Sequence, residues 1–155
     1  MTKNEKALLD TMAHSEIGPA LLAKSDNGYN VIVGSTPNNP HLFYSYADHP
    51  RQLIRLNDKL SSTAAGRYQL LARYFDSYKM SLNLPDFSPD CQDRIALMQC
   101  HERGALDDIN KGNFETAIAR ISNIWASLPG AQYGQHTNKM ADLKAAYIAA
   151  GGRIS

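Results

Sequence analysis

The chain has 155 residues, of which 43% are hydrophobic and 20% charged, values typical of one soluble globular domain. The net charge of +1 argues against a nucleic-acid-binding protein, because such proteins usually carry a basic excess or a basic stripe. No stretch approaches the ~20 apolar residues that span a bilayer, and the polar N-terminus lacks a signal-peptide pattern. We therefore expect a single domain over residues 1–155 that stays in the cytoplasm where it is made, without stable membrane insertion.

The cysteines and histidines carry no metal-binding pattern. Cys91 and Cys100 are the only cysteines, and they lie nine positions apart in one predicted helix. This spacing places them on opposite faces of the helix, which predicts two free thiols rather than a disulfide. No spacing typical of a zinc site occurs. We expect neither a metal nor an organic cofactor.

The first predicted element is a helix that ends at Glu16. Thr2 and Glu5 have the spacing of a capping box, apolar residues follow with helical periodicity, and Gly18-Pro19 breaks the pattern. A carboxyl at this helix end could project into a cleft, where burial raises its pKa and keeps it protonated as a general acid. A solvated surface glutamate is the commoner outcome at such a position, so both interpretations of Glu16 stay open.

The next region predicts a small β-sheet. Asn27-Gly28 is a turn signal, and residues 29–33 are rich in β-branched and aromatic side chains. A loop with Pro37 and Pro40 follows, and residues 42–46 read as a second strand. No other part of the sequence gives a convincing β signal.

The rest of the chain predicts helices. From Ala64 onward, apolar residues at alternating spacings of three and four form one stripe that reaches Leu82. Further helices are predicted from Ser88-Pro89 to residue 103, from near Asn113 to a stop before Pro129, and over residues 138–151. We therefore predict an α+β fold, mostly helical with one small antiparallel β-sheet and a cleft between two lobes.

Two further segments have the residue types of a binding site. Around Gly66, a ligand could approach the backbone, and Gln69 offers both a donor and an acceptor. An ordinary helix start with Tyr68 in the core explains the same residues. Residues 128–135 form a glycine-rich loop with Tyr133 and two amides, and such groups stack on sugar rings and bind hydroxyls. An uncommitted surface loop is the alternative there.

The order of several motifs resembles the lambda-lysozyme family of endolysins, which are peptidoglycan lytic transglycosylases with a lysozyme-like fold. The resemblance runs from about residue 7 to residue 152. Its blocks include Ser15-Glu16, GYNVIVG at 28–34, DHPR at 48–51, AGRYQLL at 65–71, DFSP at 86–89, ERGAL at 102–106, SNIWASLPGA at 122–131 and YGQ at 133–135. Asn30 stands where the family pattern has an aspartate, so this position cannot supply an obligatory second acid.

The resemblance implies a specific reaction. Such enzymes cleave the β-1,4 bond between N-acetylmuramic acid and N-acetylglucosamine and leave a 1,6-anhydromuramic acid end. This cleavage of the cell wall causes lysis of the host cell. The family's catalytic glutamate corresponds to Glu16, and Tyr68, Gln69 and Tyr133 fall where substrate-binding residues are expected. Glu16 would first protonate the leaving oxygen and then accept the proton of the attacking C6 hydroxyl. The substrate's N-acetyl group would take over the task of the second carboxylate by stabilising charge at C1, and the tethered hydroxyl would replace the ordered water of most glycosidases.

Two other functions stay open. A hydrolytic lysozyme on the same fold would need a second carboxylate, and Asp26 and Asp48 lie in or near the predicted β region. A catalytically inactive peptidoglycan-binding module would be expected to lack the acid, whereas Glu16 is present. We expect a monomer that does not bind nucleic acid, and the resemblance implies that it binds glycan strands and reaches the periplasm through a lesion made by a separate holin.

Overall fold

A computed structural model describes residues 1–129 and 138–155. Within these residues the chain is mostly helical and has one two-stranded antiparallel sheet, which confirms the predicted α+β class. The elements in chain order are α1 Lys3–Glu16, α2 Pro19–Ala23, β1 Ile54–Asn57, β2 Leu60–Ser62, α3 Ala72–Ser81, α4 Pro89–Glu102, α5 Ala105–Asn110, α6 Phe114–Ile121 and α7 Met140–Ala149.

The chain groups into two compact units. The helical unit consists of Met1–Glu16 and Ala96–Ser155, and the mixed unit consists of Ile17–Ile95. Each has its own set of buried apolar side chains. The interpretation of residues 1–155 as one domain stays a prediction.

Helix α1 lies at the centre of the helical unit. Its start is the predicted capping box: Glu5 N donates to Thr2 Oγ1 at 3.0 Å, and Thr2 N donates to Glu5 Oε1 at 3.2 Å. Helix α1 contacts α5 and α7. The residues of α1 that are buried are Ala7, Leu8, Leu9, Thr11, Met12 and Ala13. This burial fixes the helix along most of its length, up to the turn that ends at Glu16.

The core of the mixed unit is aromatic. The ring centroids of Phe75 and Phe87 lie 5.0 Å apart, and the ring of His49 lies 4.9 Å from that of Phe87. His49 Nδ1 accepts from the Arg51 backbone N–H, so the ring proton resides on Nε2, which donates to the Leu70 carbonyl at 2.8 Å. Burial lowers the pKa of His49, which favours this neutral form. The imidazole therefore ties the backbone at Leu70 to the core.

The location of the β-sheet was predicted wrongly. Residues 29–33 and 42–46 form isolated bridges, including Val31 with Leu42, rather than strands. Val31 and Ile32 are 2% and 1% exposed, so their apolar character reflects burial in the core and not membership of a ladder. The actual sheet pairs β1 with β2 in a short hairpin whose residues are mostly exposed. Because an exposed hairpin has little apolar alternation, its sequence signal is weak.

Some helix bounds also differ from the prediction. The apolar stripe predicted from residue 64 becomes helical only at Ala72, because residues 65–70 form a tight turn. Helix α6 ends at Ile121 instead of running to Pro129. Beyond it the chain continues in shorter turns, in which Ile124 N donates to the Ile121 carbonyl at 3.0 Å. Helices α2 and α5 were not predicted. The bounds of α1, α4 and α7 agree with the sequence analysis to within two residues.

Two other findings concern the described residues. None of their helices is both long enough and apolar enough to cross a membrane. Cys91 and Cys100 are buried free thiols, as predicted.

Candidate active site

Glu16 is the last residue of α1, and its carboxyl is partly buried. Ser127 Oγ donates a hydrogen bond to Glu16 Oε1 at 3.0 Å. Ser127 lies in the turns that follow α6, and its contact with Glu16 joins parts of the helical unit that are 111 residues apart in the chain. The side chain is therefore held in place rather than freely solvated.

Ser15 and Asn138 complete the hydrogen bonding around Ser127. Ser15 Oγ lies 2.7 Å from Ser127 Oγ, and Asn138 Nδ2 donates to Ser15 Oγ at 3.0 Å. The Asn138 backbone N–H donates to the Ser127 carbonyl at 2.8 Å. The residues of this network are uncharged except for Glu16 itself, so no neighbour in it favours the ionised carboxyl through an opposite charge.

Burial raises the pKa of Glu16 from an ordinary value of 4.5 to about 7. The two hydrogen bonds from Ser127, one from its hydroxyl and one from its backbone, oppose this rise only in part. The predicted direction of the shift is confirmed. A carboxyl that titrates near neutral pH can both donate and accept a proton under physiological conditions, which is the requirement for general acid–base catalysis.

Gln69 lies in the tight turn at 65–70 of the mixed unit. Gly66 and Gln69 both have left-handed backbone conformations, with φ of 87° and 52°. A Cβ on Gly66 would collide with the Gln92 side chain, so only glycine fits that position. Gln69 Nε2 donates to the carbonyls of Gly66 at 2.8 Å and Val31 at 3.2 Å. Among the described residues no donor reaches its Oε1, which leaves an acceptor for a ligand.

Tyr68 lies in the interior of the mixed unit and is only 5% exposed. Its hydroxyl donates to Asp93 Oδ1 at 2.6 Å and accepts from Arg67 Nη1 at 2.9 Å. The Tyr29 hydroxyl donates to the same carboxyl at 3.0 Å. This Asp93 cluster, which consists of Tyr29, Arg67, Tyr68 and Asp93, was not predicted. Since Asp93 is 25 and 64 residues from the two tyrosines, no local pattern marks it. Contact of Tyr68 with substrate stays a prediction.

The remaining sequence candidates divide into two groups. Tyr133 and its neighbours at 130–137 lie outside the described residues. The two alternative carboxyls are described, and both are engaged by neighbours. Asp48 forms an ion pair with Arg51 at 2.8 Å, and this guanidinium lowers the pKa of Asp48. Asp26 Oδ2 accepts from the Tyr46 hydroxyl at 2.5 Å.

The described residues contain no group of three or more His, Cys, Asp or Glu side chains that could hold a metal.

Comparison with solved structures defines the class of fold. The chain matches a structure of bacteriophage lambda lysozyme complexed with a chitohexasaccharide with a TM-score of 0.93 and 49% identity, over 100% of this chain and 98% of that one. A structure of lysozyme from bacteriophage lambda matches with a TM-score of 0.84 and 48% identity over the same shares. The fold is therefore lysozyme-like, as predicted.

Comparison of sequences then gives the family. A model of the endolysin family matches residues 6–154. The chain is 51% identical to the endolysin of Escherichia phage lambda, over 99% of this chain and 95% of that protein. It is 44% identical to the endolysin of Escherichia phage P2, over 97% and 94%. The chain belongs to the endolysin family, whose members are enzymes that degrade peptidoglycan.

Proposed function

We propose that this endolysin is a peptidoglycan lytic transglycosylase that uses Glu16 as its single catalytic acid and base. The observation that carries the proposal is the partly buried Glu16 carboxyl with a pKa of about 7. Its described hydrogen-bond partner is the neutral Ser127. Such a carboxyl has both protonation states available near neutral pH, so one group can perform the two proton transfers that most glycosidases divide between two carboxyls.

The reaction starts with protonated Glu16. Glu16 transfers its proton to the oxygen of the β-1,4 bond, the bond between that oxygen and C1 of muramic acid breaks, and N-acetylglucosamine leaves with a hydroxyl group. The N-acetyl group of muramic acid can stabilise the positive charge that develops at C1. The C6 hydroxyl oxygen then bonds to C1, and its proton passes to the Glu16 carboxylate. The product is a 1,6-anhydro ring, and Glu16 returns to its protonated form.

The tethered nucleophile makes a second carboxylate unnecessary. The C6 hydroxyl belongs to the same sugar as C1, so its attack is intramolecular and requires no ordered water. Neither Asp48, which is paired with Arg51, nor Asp26, which accepts from Tyr46, is needed in this scheme.

The substrate of the proposed reaction is a glycan strand. The lambda lysozyme structure that this chain resembles holds a chitohexasaccharide, a β-linked amino-sugar polymer. In this chain, Gln69 would accept a hydrogen bond from a sugar hydroxyl or amide through Oε1. Tyr133 would contact the sugar, as the family resemblance implies. The burial of Tyr68 favours an indirect contribution, in which its hydrogen bond to Asp93 stabilises the mixed unit that carries Gln69.

Replacing Glu16 with glutamine tests the proposal. Glutamine keeps the size of the side chain and can accept from Ser127, but it cannot supply or accept the proton. We expect Glu16→Gln to bind chitooligosaccharide and to lose lytic activity by at least ~10³-fold in a turbidity assay on permeabilised Gram-negative cells. Glu115→Gln is the matched control, because Glu115 is an exposed residue paired with Lys144 on the surface. A lytic Glu16→Gln variant would contradict the mechanism.

Release and assembly are part of the same proposal. The protein accumulates as a monomer in the host cytoplasm and reaches the glycan through the lesion of a separate holin. Cells that express this chain alone should lyse only after chloroform opens the inner membrane, and spontaneous lysis would contradict holin dependence. Size-exclusion chromatography should give a mass near the 17.1 kDa of one chain.

A further inference from the structure

Three neutral side chains form a continuous hydrogen-bonded chain that ends on the Glu16 carboxyl. Asn138 Nδ2 lies 3.0 Å from Ser15 Oγ, and Ser15 Oγ lies 2.7 Å from Ser127 Oγ. Ser127 Oγ in turn lies 3.0 Å from Glu16 Oε1. The residues come from the end of α1, the turns after α6 and the segment before α7. A contact network of this kind requires the fold of the whole helical unit.

At the Asn138 end of this hydrogen-bonded chain, the neighbouring groups determine which atom is the donor. Asn138 Nδ2 also lies 3.3 Å from the Ser15 carbonyl oxygen and 3.4 Å from the Ser127 carbonyl oxygen. Carbonyl oxygens only accept hydrogen bonds, so the amide must present its NH₂ group on this side. An NH₂ group only donates. Ser15 Oγ is therefore an acceptor toward Asn138.

The direction of the other two hydrogen bonds follows from proton counting. Each serine hydroxyl has a single proton to donate. Ser15 accepts from Asn138, so its own proton is available for Ser127. Ser127 donates its one proton to the Glu16 carboxylate, which only accepts, so Ser127 must accept from Ser15. All three hydrogen bonds thus run toward the carboxyl.

We infer that Ser127 is a positioning residue for Glu16, with its hydroxyl held as a donor to the carboxyl by Ser15 and Asn138. This assignment rests on the proposed function only in its catalytic consequence, since the hydrogen bonds exist whatever Glu16 does. The hydroxyl fixes the position of the Glu16 carboxyl through Oε1. It also stabilises the ionised form, because a hydrogen bond to a carboxylate is stronger than one to a neutral carboxyl.

Among the residues that the structure describes, no charged side chain contributes to the pKa of Glu16. Burial and the hydrogen bonds of Ser127 are the causes that set its pKa. Neither His14 on the same helix nor Lys139 beside Asn138 is among them. Removing the Ser127 hydroxyl should therefore shift the protonation equilibrium of Glu16 in one direction only, toward the protonated carboxyl.

The test is a titration of the full chain by carbon-13 NMR of the Glu16 carboxyl, assigned with Glu16→Gln. Ser127→Ala should lower the acid dissociation constant of Glu16 by roughly tenfold, and Ser127→Thr, which keeps a hydroxyl, should restore most of it. Ser15→Ala and Asn138→Ala should act in the same direction with smaller shifts. Ser122→Ala is the matched control, because Ser122 is a buried serine of the same unit that donates to the Ala119 carbonyl at 3.0 Å.

Lytic activity measured against pH separates this inference from the proposed function. In Ser127→Ala, the alkaline limb of the pH–activity profile should move to a pH roughly one unit higher, by the same amount as the pKa of Glu16. An unshifted titration in Ser127→Ala overturns the positioning role, whatever the activity. If the pKa of Glu16 shifts in Ser127→Ala but not in Ser15→Ala or Asn138→Ala, Ser15 and Asn138 do not hold the Ser127 hydroxyl as a donor. A shifted titration with an unmoved alkaline limb leaves the positioning role intact and contradicts Glu16 as the acid.

Discussion

Glu16 and Asp93 are both partly buried carboxyls with a raised pKa, but their neighbours differ in kind. Asp93 accepts hydrogen bonds from Tyr29 and Tyr68, and the positive charge of Arg67 lowers its pKa. Glu16 accepts from Ser127, and no charged side chain of the described residues is among the causes of its pKa shift.

Burial alone therefore does not define a catalytic acid. Next to a buried carboxyl, a guanidinium favours the ionised form and opposes the effect of burial, as Arg67 does in the Asp93 cluster. A buried carboxyl held only by neutral donors keeps a pKa near neutrality and can exchange its proton. The identity of the neighbours therefore separates the two functions better than the exposure of the carboxyl does.

The largest expected effect comes from exchanging the two carboxyls for amides. Glu16→Gln should lower activity by at least ~10³-fold and leave the melting temperature at neutral pH unchanged or higher. Asp93→Asn should instead lower the melting temperature and leave the activity unchanged, because it removes the negative charge that interacts with the buried Arg67. It should cost ~2–3 kcal/mol of stability while the folded fraction retains activity. Thermal unfolding and turbidity assays on both variants check this, and equal losses of activity would remove the distinction.

The stability of the protein should depend on pH through Glu16. Between pH 4.5 and about 7 the folded state keeps a proton that the unfolded chain releases, so the unfolding free energy falls as pH rises through this range. The full contribution is up to ~3 kcal/mol at pH 8. Glu16→Gln removes this dependence, so the variant should equal the native chain at pH 4 and exceed it at pH 8. Urea unfolding at both pH values measures the difference, and a constant offset would contradict the raised pKa.

Substituting Gly66 tests the turn that holds Gln69. Gly66→Ala should destabilise the protein by ~2–3 kcal/mol, because its Cβ would meet Gln92 and Phe87 at a positive φ. Gly104→Ala is the matched control, since Gly104 is left-handed with a φ of 76° and its added Cβ would meet nothing nearer than 3.9 Å. It should cost about 1 kcal/mol. Equal losses in chemical denaturation would show that backbone strain alone, and not the contact with Gln92, makes glycine necessary at position 66.

The smallest expected effect concerns Tyr68. Tyr68→Phe removes one donor to Asp93 and should cost about 1 kcal/mol of stability without changing KM. Tyr29→Phe removes the other phenol donor to the same carboxyl and provides the comparison. A rise in KM for Tyr68→Phe alone would instead support direct contact with the substrate.

Local sequence signals predicted the elements that local interactions determine. The capping box at Thr2 and the break at Gly18-Pro19 placed Glu16 at the end of α1, and the apolar helix body anticipated its raised pKa. The exposed β1–β2 hairpin was missed, because its side chains give no core-facing alternation. The buried residues Val31 and Ile32 gave a strand signal for the opposite reason.

The partners of both carboxyls could not be predicted from local patterns. Ser127 and Asn138 reach the end of α1 from 111 and 123 residues away, and a lone serine or asparagine has no periodicity that points to a distant partner. Asp93 is likewise joined to Tyr29 across 64 residues. Assignment of Glu16 from sequence depended on the family resemblance, which carries such long-range information implicitly.

In the proposed mechanism Glu16 acts alone, as acid and then as base, and water is not the nucleophile. Mass spectrometry of peptidoglycan digested in isotopically labelled water distinguishes this mechanism from hydrolysis. We expect muropeptides that end in 1,6-anhydromuramic acid and carry no label. Reducing muramic acid ends that have incorporated the labelled oxygen would contradict the mechanism and assign the enzyme to the hydrolytic lysozymes.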